Sequence, residues 1–128
     1  MDVFECTVPI RFSDVDAAGV VNNAAYVTVL EEARVAFARD VVGVDALDEF
    51  PFVVAALDVD YRHPIRELAD ITVTVEVTDI GESSFTLDYE LRVDEQVIAT
   101  AETVQVAVDL DTGESRPIPD RWRERLTA

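Results

Sequence analysis

Residues 11–34, RFSDVDAAGVVNNAAYVTVLEEAR, decide the fold, because within them the hydrophobic period changes. Upstream, residues 3–12 alternate: Phe4, Cys6, Val8, Ile10 and Phe12 share one phase, and Glu5, Thr7, Pro9 and Arg11 the other. That pattern predicts a half-buried strand. Pro9 removes a ladder donor, which points to a sheet edge or a bulge. From Asn23 the period becomes helical. Tyr26, Leu30, Ala33 and Phe37 recur on one stripe, and Val29 and Ala36 widen it. Thr28, Glu31, Glu32 and Arg39 crowd into a polar sector of roughly 100°, so the helix must be surrounded by protein over most of its girth. Asn22 or Asn23 suits the N-cap, and Gly43 a terminator.

Four more strands are predicted downstream. The segment 52–61 carries Val53, Ala55, Leu57, Val59 and Tyr61 on one phase. Residues 71–78 alternate with threonine and glutamate, and 85–93 alternate through Leu87, Tyr89 and Leu91. In 97–110 the apolar phase moves from Val97, Ala99 and Ala101 to Val104, Val106 and Val108, predicting a bulge near Glu102 and Thr103. Turn chemistry lies at Gly81, between Val93 and Val97, and at Asp111–Gly113. The stretch PDRWRERL adds a helical turn. Strand, long helix and four strands in meander make an α+β architecture, one domain over residues 1–128, with a five-stranded antiparallel sheet curled around one helix.

Charge narrows the function. There are 27 acidic residues against 10 basic ones, a net charge of −17, and all the basic residues are arginine. Nucleic-acid binding is excluded, since no basic stripe can replace phosphate counterions. The acid is interleaved with core residues, which predicts a fold suited to high salt. A hydrophobic content of 49% rules out an acidic disordered tail. No apolar run is long enough for a membrane span, and the acidic, alternating start predicts no signal peptide and a cytoplasmic location. A single cysteine, Cys6, excludes an internal disulfide and reads as a core thiol. A single histidine, His63, excludes a multi-histidine metal site and leaves little for a Ser-His-Asp apparatus; it reads as a loop residue. No metal or cofactor is expected. Chemistry must run on carboxylates and backbone.

Asp14 and Asp16 stand just before the helix. A helix N-terminus presents unpaired N–H groups and about half a positive charge, which favours the ionised form of a nearby carboxylate and can bind a developing oxyanion. Ala17, Ala18 and Gly19 let the backbone curl tightly beside a ligand. The same aspartates also suit plain Asx turns. Spacing leaves both readings open.

Residues 11–34 resemble the signature of the hotdog-fold acyl-CoA thioesterases, and more narrowly of the 4-hydroxybenzoyl-CoA thioesterase group. The match runs through Asp14, Asp16, Gly19, Val20, Asn23, Tyr26, Glu31, Ala33 and Arg34, and extends more weakly to the C-terminal strand. The resemblance implies hydrolysis of acyl-CoA. Asp16 would be the catalytic carboxylate, and the Asn23 N–H would hold the thioester carbonyl. Gly19, Val21, Tyr26, Arg62 and Arg66 would bind substrate, and a homodimer or homotetramer would form the cleft at its seam. Glu31 is expected to pair with Arg34. Many relatives carry histidine where this chain has Val20, which implies an aspartate-only site. The loop Gly81-Glu82-Ser83 lacks the basic residues some relatives use for CoA phosphates, leaving Arg62 and Arg66, or Arg92 and Arg116, for that task. The alternatives are an enoyl-thioester hydratase, which generally wants an Asp-His pair, and a non-catalytic acyl-thioester binder.

Overall fold

The computed structural model describes residues 3–44 and 51–127. Strand β1 (Phe4–Pro9) leads into a 3₁₀ turn, Phe12–Asp14, and then into helix α1 (Asn23–Phe37). The side chain of Asn22 caps α1 by accepting the Ala24 N–H at 2.8 Å. Five further residues, Ala38–Val42, continue the helix as a π-helical turn. Gly43 then takes φ 91°, a left-handed conformation, and returns its N–H to the Ala38 carbonyl at 2.8 Å. Strands β2 (Phe52–Tyr61), β3 (Asp70–Ile80), β4 (Ser84–Val93) and β5 (Gln96–Ala107) follow, and α2 (Asp120–Thr127) supplies the predicted terminal helix.

The five strands form one antiparallel sheet in the order β1-β3-β4-β5-β2. The predicted meander holds for β3, β4 and β5 only. Helix α1 carries the chain across the sheet, so β2 pairs with β5 at the edge opposite β1. Pro9 accordingly lies on an edge strand, opposite Asp70. This is the hotdog arrangement, a sheet wrapped around one long helix.

Two expectations about phase are corrected. The strand β1 ends at Pro9, so Phe12 falls in the 3₁₀ turn and is 84% exposed. In β5 no register break occurs at Glu102 or Thr103. The inward face runs unbroken through Ala99, Thr103, Gln105 and Ala107, and it is the side chains that switch, two polar residues pointing inward while Val104 and Val106 are half-buried on the other face. The extra residue of β5 sits earlier, where Leu91 opposes Ala99 but Arg92 opposes Val97, so Ile98 is bulged and buried beside Ala99.

The core forms between the helix and the concave face. Ala25, Tyr26, Val29, Leu30, Ala33 and Phe37 of α1 meet Ile71, Val73, Val75, Phe85, Leu87 and Leu91 of the sheet. Phe4 packs edge-on against Phe37 at 5.9 Å. At the far end of the helix, Phe52 touches Phe85 at 5.0 Å and Trp122 at 5.4 Å, which docks α2 through the buried Leu126.

Two surfaces stand out. The edge strand β2 leaves Val53, Val54, Leu57 and Tyr61 exposed, against the burial its apolar phase predicts. On the outer face of the sheet, register aligns four carboxylates directly across four strands. Asp58 opposes Glu102, Glu102 opposes Asp88, and Asp88 opposes Glu76.

Candidate active site

The loop before α1 is built by its two aspartates. Asp14 Oδ2 accepts the Arg11 N–H at 2.8 Å and lies 3.6 Å from the Arg11 guanidinium, holding the 3₁₀ turn. Asp16 Oδ1 accepts the Ala18 N–H at 2.8 Å and the Val20 N–H at 3.4 Å. Gly19, at φ 78°, closes the curl by donating to the Asp16 carbonyl at 3.0 Å. The Asn22 N–H reaches back to the Asp14 carbonyl at 2.7 Å, and the Val21 N–H bonds the Ile65 carbonyl at 2.8 Å. One carboxylate oxygen of Asp16 is thus fixed to backbone, while Oδ2 accepts no hydrogen bond among the described residues.

The first turn of a helix has four donors to account for. The Asn22 N–H goes to Asp14, the Ala24 N–H to the Asn22 side chain, and the Ala25 N–H to the Asn22 carbonyl. Among the described residues the Asn23 N–H is left over. It lies beside a cleft of about 220 Å³ lined by Val20, Val21, Asn23, Tyr26, Tyr61 and His63, with Arg62 at the rim. The Tyr61 hydroxyl donates to the Asn23 carbonyl at 3.2 Å, and its ring meets Tyr26 edge-on at 4.9 Å. Burial pushes the Tyr26 phenol up, Tyr61 adds to this, and a backbone bond at Ile65 opposes it.

The structure therefore gathers Asn23, Val21, Tyr26 and Arg62 at one cleft. Gly19 shapes the loop, and Asp16 is exposed next to the cleft in sequence without lining it in the single chain. Arg66 is exposed and does not line the cleft, and Arg62 is 3.5 Å from Asp60. Arg92 is engaged by Glu5 and Glu90 at 3.7 and 3.1 Å. His63, expected to be a bystander, lines the cleft. Its approach depends on the β2 turn, 40 residues from Asn23, and local sequence carries no signal for it. Glu31 and Arg34, the expected pair, both line a second cavity between α1 and the sheet.

Two features were missed by sequence reasoning, although it offers Arg116 of the first as a candidate for CoA phosphates. Arg116, Arg121 and Arg125 line an open cleft of about 870 Å³ at the opposite end of α1, with Arg121 4.6 Å and Arg116 5.7 Å from the Trp122 ring. The clustering in RPIPDRWRER was the available signal. Under the helix, the Tyr89 hydroxyl meets Thr103 Oγ1 at 2.8 Å, and Gln105 Nε2 donates to the same oxygen at 2.8 Å. Burial pushes the Tyr89 phenol up to about 12, with the bond to Thr103, the Arg34 charge and Gln105 opposing. Gln105 is 1% exposed, and its Oε1 accepts no hydrogen bond among the described residues. A buried acceptor left unmet costs about 1–3 kcal/mol.

The five-stranded antiparallel sheet around one long helix is the fold of the hotdog thioesterases. Residues 10–126 match the model of the thioesterase-like superfamily, and the chain belongs to that family. It is 31% identical over 125 residues to a 1,4-dihydroxy-2-naphthoyl-CoA hydrolase of Synechococcus elongatus, covering 91% of this chain and 90% of that one. A thioesterase from Thermus thermophilus, solved with coenzyme A and Zn, superposes with a TM-score of 0.87 at 32% identity, over 95% of this chain and 90% of the other. A predicted thioesterase from Bacillus stearothermophilus superposes with a TM-score of 0.90 at 27% identity, over 98% and 95%.

Proposed function

We propose that the protein hydrolyses acyl-CoA thioesters, releasing coenzyme A and a carboxylic acid, with Asp16 and the Asn23 N–H as its reacting pair. The observation that carries this reading is the leftover Asn23 donor at the start of α1, beside a loop that anchors Asp16 by one oxygen and leaves the other free. The thioester carbonyl oxygen is held by the Asn23 N–H and the helix pole, where one such donor contributes about 2.7–4 kcal/mol to the transition state. Asp16 Oδ2 acts on the carbonyl carbon, either by direct attack or by taking a proton from the attacking water. Addition pushes charge onto the carbonyl oxygen. Its collapse breaks the C–S bond and the thiolate leaves: where water attacked, the carboxylic acid is formed directly, and where Asp16 attacked, water then hydrolyses the acyl–Asp16 anhydride to the acid and restores the carboxylate.

A second copy of the chain completes the cleft. The free edge of β2 exposes Val53, Val54 and Leu57, and an unpaired apolar edge is a template for strand pairing. In an antiparallel β2–β2 pair the Tyr61 end of one chain meets the Phe52 end of the other. That apposition carries the Arg116–Trp122 cleft of one copy toward the Asn23 cleft of its neighbour, where its arginines meet CoA phosphates. The name of the Synechococcus elongatus relative supports an aromatic acyl group. The hydratase alternative lacks its pair, since Asp16 and His63 make no hydrogen bond or ion pair with each other.

The test is thiol release from a panel of aromatic and aliphatic acyl-CoAs in molar KCl, with Asp16→Asn and Asp16→Ala beside the wild type. Both variants should lose about 10²–10⁴-fold in kcat. Release that survives both substitutions removes Asp16 from the mechanism; saturable CoA binding without release from any substrate makes the protein a binder.

A further inference from the structure

Tyr61 closes the β2–β5 ladder opposite Ala99. Just beyond it, the carbonyl of the bulged Ile98 accepts both the Arg62 N–H at 2.9 Å and the His63 N–H at 3.2 Å. One acceptor serving two successive donors turns the chain off the sheet, and Pro64 disfavours a helical backbone at His63. Residues 61–65 then strap the start of α1. The Ile65 carbonyl takes the Val21 N–H at 2.8 Å, the Ile65 backbone bonds the Tyr26 phenol, and the Tyr61 hydroxyl donates to the Asn23 carbonyl at 3.2 Å.

The last of these contacts bears on the residue whose N–H is left over. A donor at the first position of a helix has no intrahelical bond to fix its direction, and helix ends fray. The tethers on Asn22 are local. Its N–H goes to the Asp14 carbonyl and its side chain to the Ala24 N–H, so both travel with the loop and the helix. Tyr61 ties Asn23 itself to the sheet. The Tyr61 ring is braced edge-on by Tyr26, whose ring lies 4.9 Å away and which is 3% exposed. Burial does not demand the hydroxyl bond, because Tyr61 is 42% exposed and water satisfies such a group equally well.

We infer that Tyr61 is a positioning residue: by holding the Asn23 carbonyl it fixes the first turn of α1 against β2 and so aims the Asn23 N–H at the thioester oxygen. It takes no part in bond breaking. The inference rests on the thioesterase reading for the task of the Asn23 N–H, and goes beyond it in naming the side chain that aims this donor.

The experiment uses Tyr61→Phe, which keeps the ring and deletes one oxygen. With an aryl-CoA substrate, kcat should fall about tenfold while KM stays within about twofold, because a misplacement of about 1 Å costs about 10²-fold and the Asn22 tethers remain. The second readout needs no turnover. A ketone analogue of the substrate, ¹³C-labelled at the carbonyl and with CH₂ in place of sulfur, is bound and its carbonyl stretch followed by infrared difference spectroscopy. Wild type should lower that frequency relative to the free analogue, and Tyr61→Phe should lose about half of the shift or more. A shift kept in full overturns the positioning role alone, as does a lowered Tm beside an unchanged kcat, which is what a merely structural hydroxyl would give. A loss carried by KM makes Tyr61 a binding contact and overturns the role too. A wild type that releases no thiol and leaves the carbonyl stretch unmoved removes the thioesterase reading, and the positioning role with it.

Discussion

The row of opposed carboxylates on the outer sheet face makes a quantitative claim about salt. Glu102 faces Asp58 on one side and Asp88 on the other. Carboxylates on directly opposed residues stand about 6 Å apart, where two unit charges in water repel by about 0.7 kcal/mol. Glu102→Gln removes both contacts while keeping the shape, and so relieves about 1.4 kcal/mol at low salt. At about 1 M KCl the Debye length falls to about 3 Å, and the same repulsion shrinks about sevenfold. At about 4 °C per kcal/mol for a domain of this size, Glu102→Gln should raise Tm by about 6 °C at about 10 mM KCl and by less than about 1 °C at about 1 M. Thermal melts followed by circular dichroism at fixed protein concentration measure this, with Glu67→Gln, exposed and outside the row, as the control. Equal gains at the two salt concentrations, or none at low salt, would refute the argument that the row is a source of salt-dependent instability.

Further outcomes follow from the packing. Leu57→Arg, which puts a charge in the exposed β2 edge, should convert a species of twice the 14.2 kDa chain mass into one of 14.2 kDa in size-exclusion chromatography with light scattering; an unchanged mass would clear β2 of the seam. Asn22→Ala uncaps α1 and should cost about 1 kcal/mol, read as a Tm loss of about 4 °C. Folding raises the Tyr89 phenol from its ordinary value of 10 to about 12, so its neutral form stabilises the protein fully below pH 10, and that stability is lost as pH rises to about 12. Two pKa units correspond to about 2.7 kcal/mol. The stability gap between wild type and Tyr89→Phe, from urea melts, should narrow by about that amount across the window, whereas parallel curves would show the phenol titrating as it does in water.

What the sequence makes legible is local. The Asn22 cap, the Gly43 stop and the curl around Gly19 each depend on residues within a few positions, and their chemistry is written in N-N, G and D-x-D. The pairing of β2 with β5 is not local. It follows from α1 spanning the sheet, and no residue of 52–61 encodes its neighbour. The β5 phase misleads for a physical reason: a period-2 reading assumes that polar means outward, while Thr103 and Gln105 point inward and are joined by a hydrogen bond between their side chains. The site divides in the same way. Asn23 and Val21 were readable from the helix start, but Tyr61 reaches Asn23 across 38 residues, and only the folded sheet puts it there.

Asp16 and the helix donor converge only if the Asn23 N–H binds the carbonyl oxygen. Labelled protein mixed with a ketone analogue of an aryl-CoA, with CH₂ in place of sulfur, tests this by ¹⁵N–¹H correlation. The Asn23 amide proton should move downfield on binding, more than those of Ala24 and Ala25, whose bonds are already made. The same shift should persist in Asp16→Asn, which binds without turning over. An Asn23 amide that stays in place while the analogue saturates would contradict the proposed site.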